Sequence, residues 1–421
     1  MNSLTLGAAI VYALFGLAHW IAAIYFSVWL KKQARKACDA PKKAGPIAVL
    51  VAARGFDPSL AEMLKGLMNQ THNDYEIHLV ADDSDGELLQ HVQELTAASA
   101  NSNRLQLHSL GTPLETCGLK NSALLQALKH VSANVELLAM IDTDIIPPSD
   151  WLGKVVRPLA DSNIGVATGG QWFEPSGRFE LGTLIRCLWN AAAIVPTALF
   201  ANPWAGSLAI RRSDFDRAKI ADLWTRTIVD DGPIPEAMRK FGLQMRFVPD
   251  LIMVNGESCS LSFVTNYLAR MLSWSRLYET SFRNTLGHAI ITSALLLLVL
   301  FCFIRAVVTG QVTEIGTLVL GVAAGLAFYV IAFAIVRSAI SGSSDWARDR
   351  IREQSVAVWV GLALLVPVTQ ALFCISTCRA LLLRRISWRN VTYEIRGPED
   401  VRLLANQPAG SNGAGKQARS V

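Results

Sequence analysis

Four long apolar runs constrain this chain more than any other feature. Leu4 to Leu30 contains no Lys, Arg, Asp or Glu. His288 to Val308, Ile315 to Val336 and Val356 to Ile375 are nearly as clean. Each is long enough to cross a hydrocarbon core of about 30 Å. These runs account for a chain that is 51% hydrophobic and only 17% charged. Lys31, Lys32, Arg35 and Lys36 follow the first run, whereas a cleaved signal sequence carries its charge before a shorter core. The run therefore reads as a retained anchor with the next domain in the cytoplasm.

The loop Thr309–Glu314 has no Lys or Arg and should face outward. The next loop carries Arg337, Arg348, Arg350 and Arg352 and should face inward. The last run is ambiguous. A full crossing would put Arg379, Arg384, Arg385, Arg389 and Arg396 outside, against the positive-inside tendency. Pro367 offers the alternative of a kinked or re-entrant segment with the tail inside. The net charge of +5 gathers beside these runs, as lipid headgroups favour. No basic face interleaved with aromatics appears, so nucleic acid is not an expected partner.

Between the anchor and the later runs the pattern changes. Ile47–Ala53 is continuously apolar, as a strand buried on both faces would be. A helix over Leu60–Asn69, a strand over Glu76–Ala81, a helix near Glu87–Ala97 and a strand at Leu105–His108 follow. Lys120–His130 reads as a helix leading into strand Val135–Ile141. This alternation predicts a doubly wound α/β domain. Gly165–Trp172 and the glycine-led Ala205–Arg212 read as further strands, the latter as an edge. Leu181–Phe200 is apolar but interrupted by Arg186, Asn190 and Pro196, and reads as an interfacial or partly embedded helix and not a span. Val264–Phe282 is amphipathic, with Arg270, Ser273, Trp274 and Leu277 sharing one face. His72, His78, His108 and His130 show no ligand spacing.

Acidic residues stand where such a domain opens its ligand crevice, beyond the strand ends. Asp82, Asp83 and Asp85 form one station, Asp142 and Asp144 a second, Asp230 and Asp231 a third. An Asp-x-Asp at a strand end can hold a hard divalent cation, which in turn can hold a diphosphate. Each residue also has a plainer reading. Asp82 and Asp85 suit a turn equally well. Asp230-Asp231 suits a helix N-terminus. Trp274 suits a membrane interface. Lys120 reads equally as a diphosphate ligand or a solvated lysine, and Trp204-Ala205-Gly206-Ser207 as an acceptor wall or a tight turn.

Taken in order, these pieces resemble the family 2 glycosyltransferases, within them the ceramide glucosyltransferase-like branch with its hopanoid-associated relatives. The matching segments are Gly55-Phe56-Asp57-Pro58, Asp82-Asp83-Ser84-Asp85, Asp142-Thr143-Asp144, Val229-Asp230-Asp231, Arg270-Met271-Leu272-Ser273-Trp274 and Ile386-Ser387-Trp388-Arg389. The resemblance implies a nucleotide-sugar-binding fold of the GT-A type. It implies that Asp83 contacts the nucleoside of a UDP-sugar donor, and that Asp142 and Asp144 hold Mg2+ or Mn2+ at the diphosphate. Lys120, Arg270, Trp274 and Arg276 would line the donor, and Trp204, Gly206 and Ser207 the acceptor. Asp231 would be the base that deprotonates a lipid hydroxyl, on ceramide or a ceramide-like or hopanoid alcohol. Ser273 departs from the pattern, because it stands where the family has a second arginine and cannot supply that charge. Arg276, roughly one turn on, is the candidate substitute.

The expected layout is an anchor at 4–30, a cytoplasmic glycosyltransferase domain at 46–262 and an amphipathic interfacial helix at 263–286. A transmembrane region at 288–378 and a basic tail at 379–421, disordered from 407, complete it. The setting implied is a bacterial-type inner membrane. A processive polysaccharide synthase and a catalytically degenerate membrane-bound nucleotide- or lipid-binding protein are the competing readings.

Overall fold

A computed structural model of the protein describes residues 2–37, 45–82, 86–97 and 99–407. The chain forms two compact units. One comprises Met1–Lys32, Trp172–Pro196 and Val254–Leu382. The other comprises Gln33–Gln171, Thr197–Met253 and the chain from Leu383 on.

The second unit is built on a seven-stranded sheet. Its strands are β1 (Ile47–Arg54), β2 (Tyr75–Asp82), β3 (Leu105–Ser109), β4 (Leu137–Ile141), β5 (Ile164–Phe173), β6 (Ser207–Arg211) and β7 (Gln244–Asn255). Their order is β3-β2-β1-β4-β6-β5-β7. β1 pairs in parallel with both β2 and β4, and β2 with β3. The chain winds outward through β2 and β3, then crosses to the other side of β1 for β4, so a switch point lies between the ends of β1 and β4. The mixed α/β class read from the sequence is the class found. β6 differs from its reading as an edge, for it is interior and antiparallel to both β4 and β5. Its burial explains the difference, since Ser207, Leu208, Ala209 and Ile210 are all fully covered.

Burial follows the sequence pattern. Leu60, Met63, Leu64, Leu67 and Met68 recur at helical spacing and form the inner face of the helix Leu60–Met68. The helix Leu119–Leu128 has no polar outer face at its start; Leu119, Asn121, Ser122, Ala123 and Leu124 are all buried. Leu50, Val80, Leu124, Met140, Leu208, Phe215, Trp224 and Met238 share one core cluster. Gly118 caps this helix because the Ile228 carbonyl lies where a Cβ would go.

Residues 385–406, part of the expected basic tail, form a three-stranded antiparallel sheet. It consists of β8 (Arg385–Trp388), β9 (Val391–Gly397) and β10 (Asp400–Asn406), with β9 in the middle. Ile386, Val391, Tyr393, Ile395 and Val401 are buried by it. Residues 408–421, where disorder was expected, lie outside the described residues.

The other unit holds the long helices. Ser3–Ala37, Phe282–Val308, Val312–Ser341 and Val356–Leu382 contain the four apolar runs. With Leu181–Leu199 they make, among the described residues, five helices long and apolar enough to cross a membrane. The fifth is the most covered by protein: half of its apolar stretch is buried, against 39% for Val356–Leu382 and 22% for Phe282–Val308 and Val312–Ser341. Its polar residues turn inward. The Arg186 guanidinium lies 4.1 Å above the Phe173 ring, and Asn190 Oδ1 accepts the Phe173 N–H at 3.0 Å. Gly16 meets the Gly325 backbone where the first helix crosses Val312–Ser341, the close small-residue crossing common in membranes. After Val356–Leu382 the chain rejoins, at Leu383, the same α/β unit it entered at Gln33.

Candidate active site

The Asp-x-Asp station sits just past β4. The Ile145 N–H donates to the Asp142 carbonyl at 3.2 Å, closing a turn that carries Thr143 and Asp144. In the β1–β4 register Leu50 faces Met140, so Asp142 emerges level with the last turns of β1 at the switch point. Lys120, on the first turn of its helix, reaches into the same place. Its Nζ lies 2.6 Å from Asp142 Oδ1 and 3.0 Å from Asp230 Oδ2. Burial disfavours the ammonium, but Asp142, Asp230 and Asp231 outweigh it and hold Lys120 above the ordinary lysine range. The solvated-lysine reading does not fit this placement.

Asp230 and Asp231 are held by a strapped loop. Asn121, fully buried beside Lys120, donates from Nδ2 to the Thr227 carbonyl at 2.9 Å and reaches the Val229 carbonyl at 3.3 Å. The Gly118 N–H also donates to Thr227 O, at 3.0 Å. Trp224 Nε1 donates to the Asp230 carbonyl at 2.8 Å. These contacts fix the backbone on either side of the two carboxylates.

Burial pushes the Asp230 carboxyl upward, with Lys120 opposing. Burial raises Asp231 to about 7, with Asp230 adding to the effect and Lys120 and the Ala205 N–H working against it. The Ala205 N–H donates to Asp231 Oδ2 at 3.1 Å. A carboxyl group poised near neutrality in this way is suited to accept a proton from an alcohol.

The Trp204–Ser207 segment makes this contact possible. Trp204 N donates to Thr168 Oγ1 at 2.9 Å and Ser207 N to Trp204 O at 3.1 Å. Gly206 is required because the Trp204 indole lies where its Cβ would be. Ser207 itself is fully buried, and its Oγ accepts from Trp151 Nε1 at 2.9 Å. Of the three residues expected to line an acceptor, Trp204 and Gly206 shape the turn that orients Asp231, while Ser207 is engaged inside the sheet.

Asp83 lies outside the described residues. Its neighbour Asp82 pairs with Arg54 across β1 and β2. Arg270, Trp274 and Arg276 belong to the other unit, on the helix Leu261–Tyr278. There Arg276 Nη1 donates to the Leu381 carbonyl at 2.9 Å. Ser273 is 1% exposed, and its Oγ donates to the Ala269 carbonyl at 2.7 Å. His78, His108 and His130 stack in a row, with ring centroids 5.6 and 4.0 Å apart. Their scattered positions in the sequence gave no hint of this.

Among the described residues no three His, Cys, Asp or Glu side chains are grouped to hold a metal. Asp142 and Asp144 nevertheless suit a hard cation of the Mg2+ type, which is held by one or two carboxylates and completed by substrate phosphates and water.

Among solved structures, the chain is similar to the mannosyltransferase PcManGT from Pyrobaculum calidifontis in complex with GDP-Man and Mn2+. Identity is 17% over 90% of this chain and 99% of that one, with a TM-score of 0.45. It is also similar to glucosyl-3-phosphoglycerate synthase from Mycobacterium tuberculosis in complex with Mn2+, UDP and glucosyl-3-phosphoglycerate. There the identity is 16% over 56% of this chain and 82% of that one, with a TM-score of 0.37. No curated protein sequence matches the chain. The model of glycosyl transferase family 21 matches residues 14–401, and the chain belongs to that family of glycosyltransferases.

Proposed function

We propose that the protein is an inverting, metal-dependent membrane glycosyltransferase with a GT-A type catalytic unit. It moves a hexose, glucose from UDP-glucose, to a lipid hydroxyl at the cytoplasmic face of the membrane. A ceramide or ceramide-like or hopanoid alcohol is the acceptor. The observation that carries this reading is Asp231, held near neutrality and oriented by the Ala205 N–H beside a lysine ringed by carboxylates.

Each residue has a distinct task. Asp231 takes the proton of the acceptor hydroxyl as that oxygen attacks the anomeric carbon. One base suffices, because the nucleoside diphosphate departs as an anion without protonation by an acid. Lys120 supplies fixed positive charge where the diphosphate develops negative charge, the preorganised stabilisation that catalyses such departures. Asp142 and Asp144 would hold Mg2+ or Mn2+, which neutralises diphosphate charge when bound. Asp83, Arg270, Trp274 and Arg276 are the remaining donor contacts of this reading. Trp204 and Gly206 shape the acceptor side. The long apolar helices bring the enzyme to its lipid.

The test is transfer by the purified protein in detergent or lipid. It is incubated with a panel of labelled UDP-sugars, a total lipid extract and Mn2+ or Mg2+, with a chelator control. Metal-dependent label in a glycolipid carrying one sugar is the expected result. Label in a polymer would overturn single transfer, and binding of nucleotide without transfer would overturn catalysis.

A further inference from the structure

The segment Ile386-Ser387-Trp388-Arg389 has no task in the reaction so far, yet the fold brings it to the switch point. Arg389 and Asn390 are the two turn residues of the β8–β9 hairpin, and both are left-handed, with φ of 46° and 62°. A two-residue hairpin loop of this kind requires this conformation at both positions. The loop brings Arg389 to the end of β1. Arg389 Nη1 donates to the Arg54 carbonyl at 2.7 Å, and its Nη2 lies 3.5 Å from Asp57 Oδ2. Arg54 Nε returns a bond to the Arg389 carbonyl at 3.1 Å. Asp57, whose side chain is 1% exposed, also accepts the Ser59 N–H at 3.0 Å. The turn after β1 is thus tied down by a residue more than three hundred positions away.

The next strand does the same for the helix that carries Lys120. Tyr393, buried on β9, uses its hydroxyl to accept the Leu119 N–H at 3.0 Å. That amide opens the helix carrying Lys120, where free N–H groups favour an anion. On β10, the Leu403 N–H donates to the Glu115 carbonyl at 2.7 Å, in the loop leading to the same helix.

We propose that Arg389 and Tyr393 are positioning residues for the donor nucleoside diphosphate. The C-terminal sheet clamps the β1 turn and the start of the Lys120 helix, the two segments that flank the switch point. The inference rests on the donor reading above. Asp231 is held by Ala205, just before β6, and Arg389 is held at the end of β1, so a donor whose sugar lies at Asp231 has its nucleoside toward β1.

The experiment uses the full chain in detergent or lipid nanodiscs. UDP affinity is measured by calorimetry for wild type, Arg389→Ala and Tyr393→Phe. Donor and acceptor KM and thermal midpoint are recorded alongside. Arg389→Ala should weaken UDP about tenfold or more and Tyr393→Phe roughly threefold, through lost order in the segments they hold and not through a lost contact to UDP. Donor KM should rise in step while acceptor KM stays put. Tyr393→Phe removes one oxygen, so it keeps the test open if Arg389→Ala fails to fold. Unchanged UDP affinity in a folded variant, or an equal rise in donor and acceptor KM, overturns the inference. Wild-type protein that binds no nucleoside diphosphate overturns the donor reading as well.

Discussion

Lys120 Nζ lies 3.0 Å from Asp230 Oδ2 at a site where the aspartate side chain is 5% exposed. Removing one partner of such a pair leaves an uncompensated charge, typically at a cost of about 3–5 kcal/mol. Lys120→Met should therefore lower the thermal midpoint by several degrees, as calorimetry would read. Transfer should fall further than stability explains, by roughly 100-fold or more at a temperature where the variant is folded, as when a charge-stabilising group is removed. A variant equal to wild type in both would show that Lys120 neither balances the carboxylates nor serves the diphosphate.

The elevated Asp231 carboxyl predicts a rate that climbs with pH. With a pKa of about 7, Asp231 is mostly protonated and inactive as a base below neutrality. The kcat profile should rise through about pH 7, and Asp231→Asn should lose about 100- to 10,000-fold of kcat while retaining UDP binding. Stability runs the other way. A carboxyl whose folded pKa is raised binds its proton more tightly when folded, so its contribution is present near pH 4 and is lost as pH rises to about 7. Midpoints measured from pH 4 to 8 should fall less steeply for Asp231→Asn than for wild type. An identical slope would rule out burial of a protonated Asp231.

Asn121 predicts an effect without any contact to substrate. Its amide straps Thr227 and Val229, and Asn121→Ala leaves buried carbonyls short of a donor. The expected loss is about 1–3 kcal/mol of stability, with a fall in kcat as Asp231 loses its fixed position. Asn121→Asp should be worse, because it replaces the donor with another carboxylate beside Asp230. Wild-type kcat in folded Asn121→Ala would detach the strap from the chemistry.

Local order made much of this legible. Ile47–Ala53 reads as a buried strand because it is apolar throughout, and the structure has it as β1, all but Ala52 buried. The roles of Lys120 and of the Trp204–Ser207 turn stayed open in the sequence, since the partners that decide them are distant along the chain. Asn121 was hidden by its type: a buried amide inside a helix looks like any polar helical residue until Thr227 folds over it. Residues 385–406 were missed for a related reason. Arginines spaced through short alternating strands give the composition of a basic tail, and the buried partners of Tyr393 and Arg389 lie at positions 119, 54 and 57.

Ser273 makes the last prediction, and it runs against restoring the family pattern. The residue is 1% exposed on a helix packed against Val356–Leu382, and its hydroxyl is satisfied within its own helix by Ala269. Ser273→Ala should cost no more than about 1 kcal/mol, the net worth of one neutral hydrogen bond. Ser273→Arg places a large cation at a position that is 1% exposed, and burial of an unpaired charge costs several kcal/mol. The arginine variant should therefore express poorly and unfold early, with no gain in transfer per folded molecule. A stable Ser273→Arg protein with raised activity would mean that an arginine at this position can serve transfer.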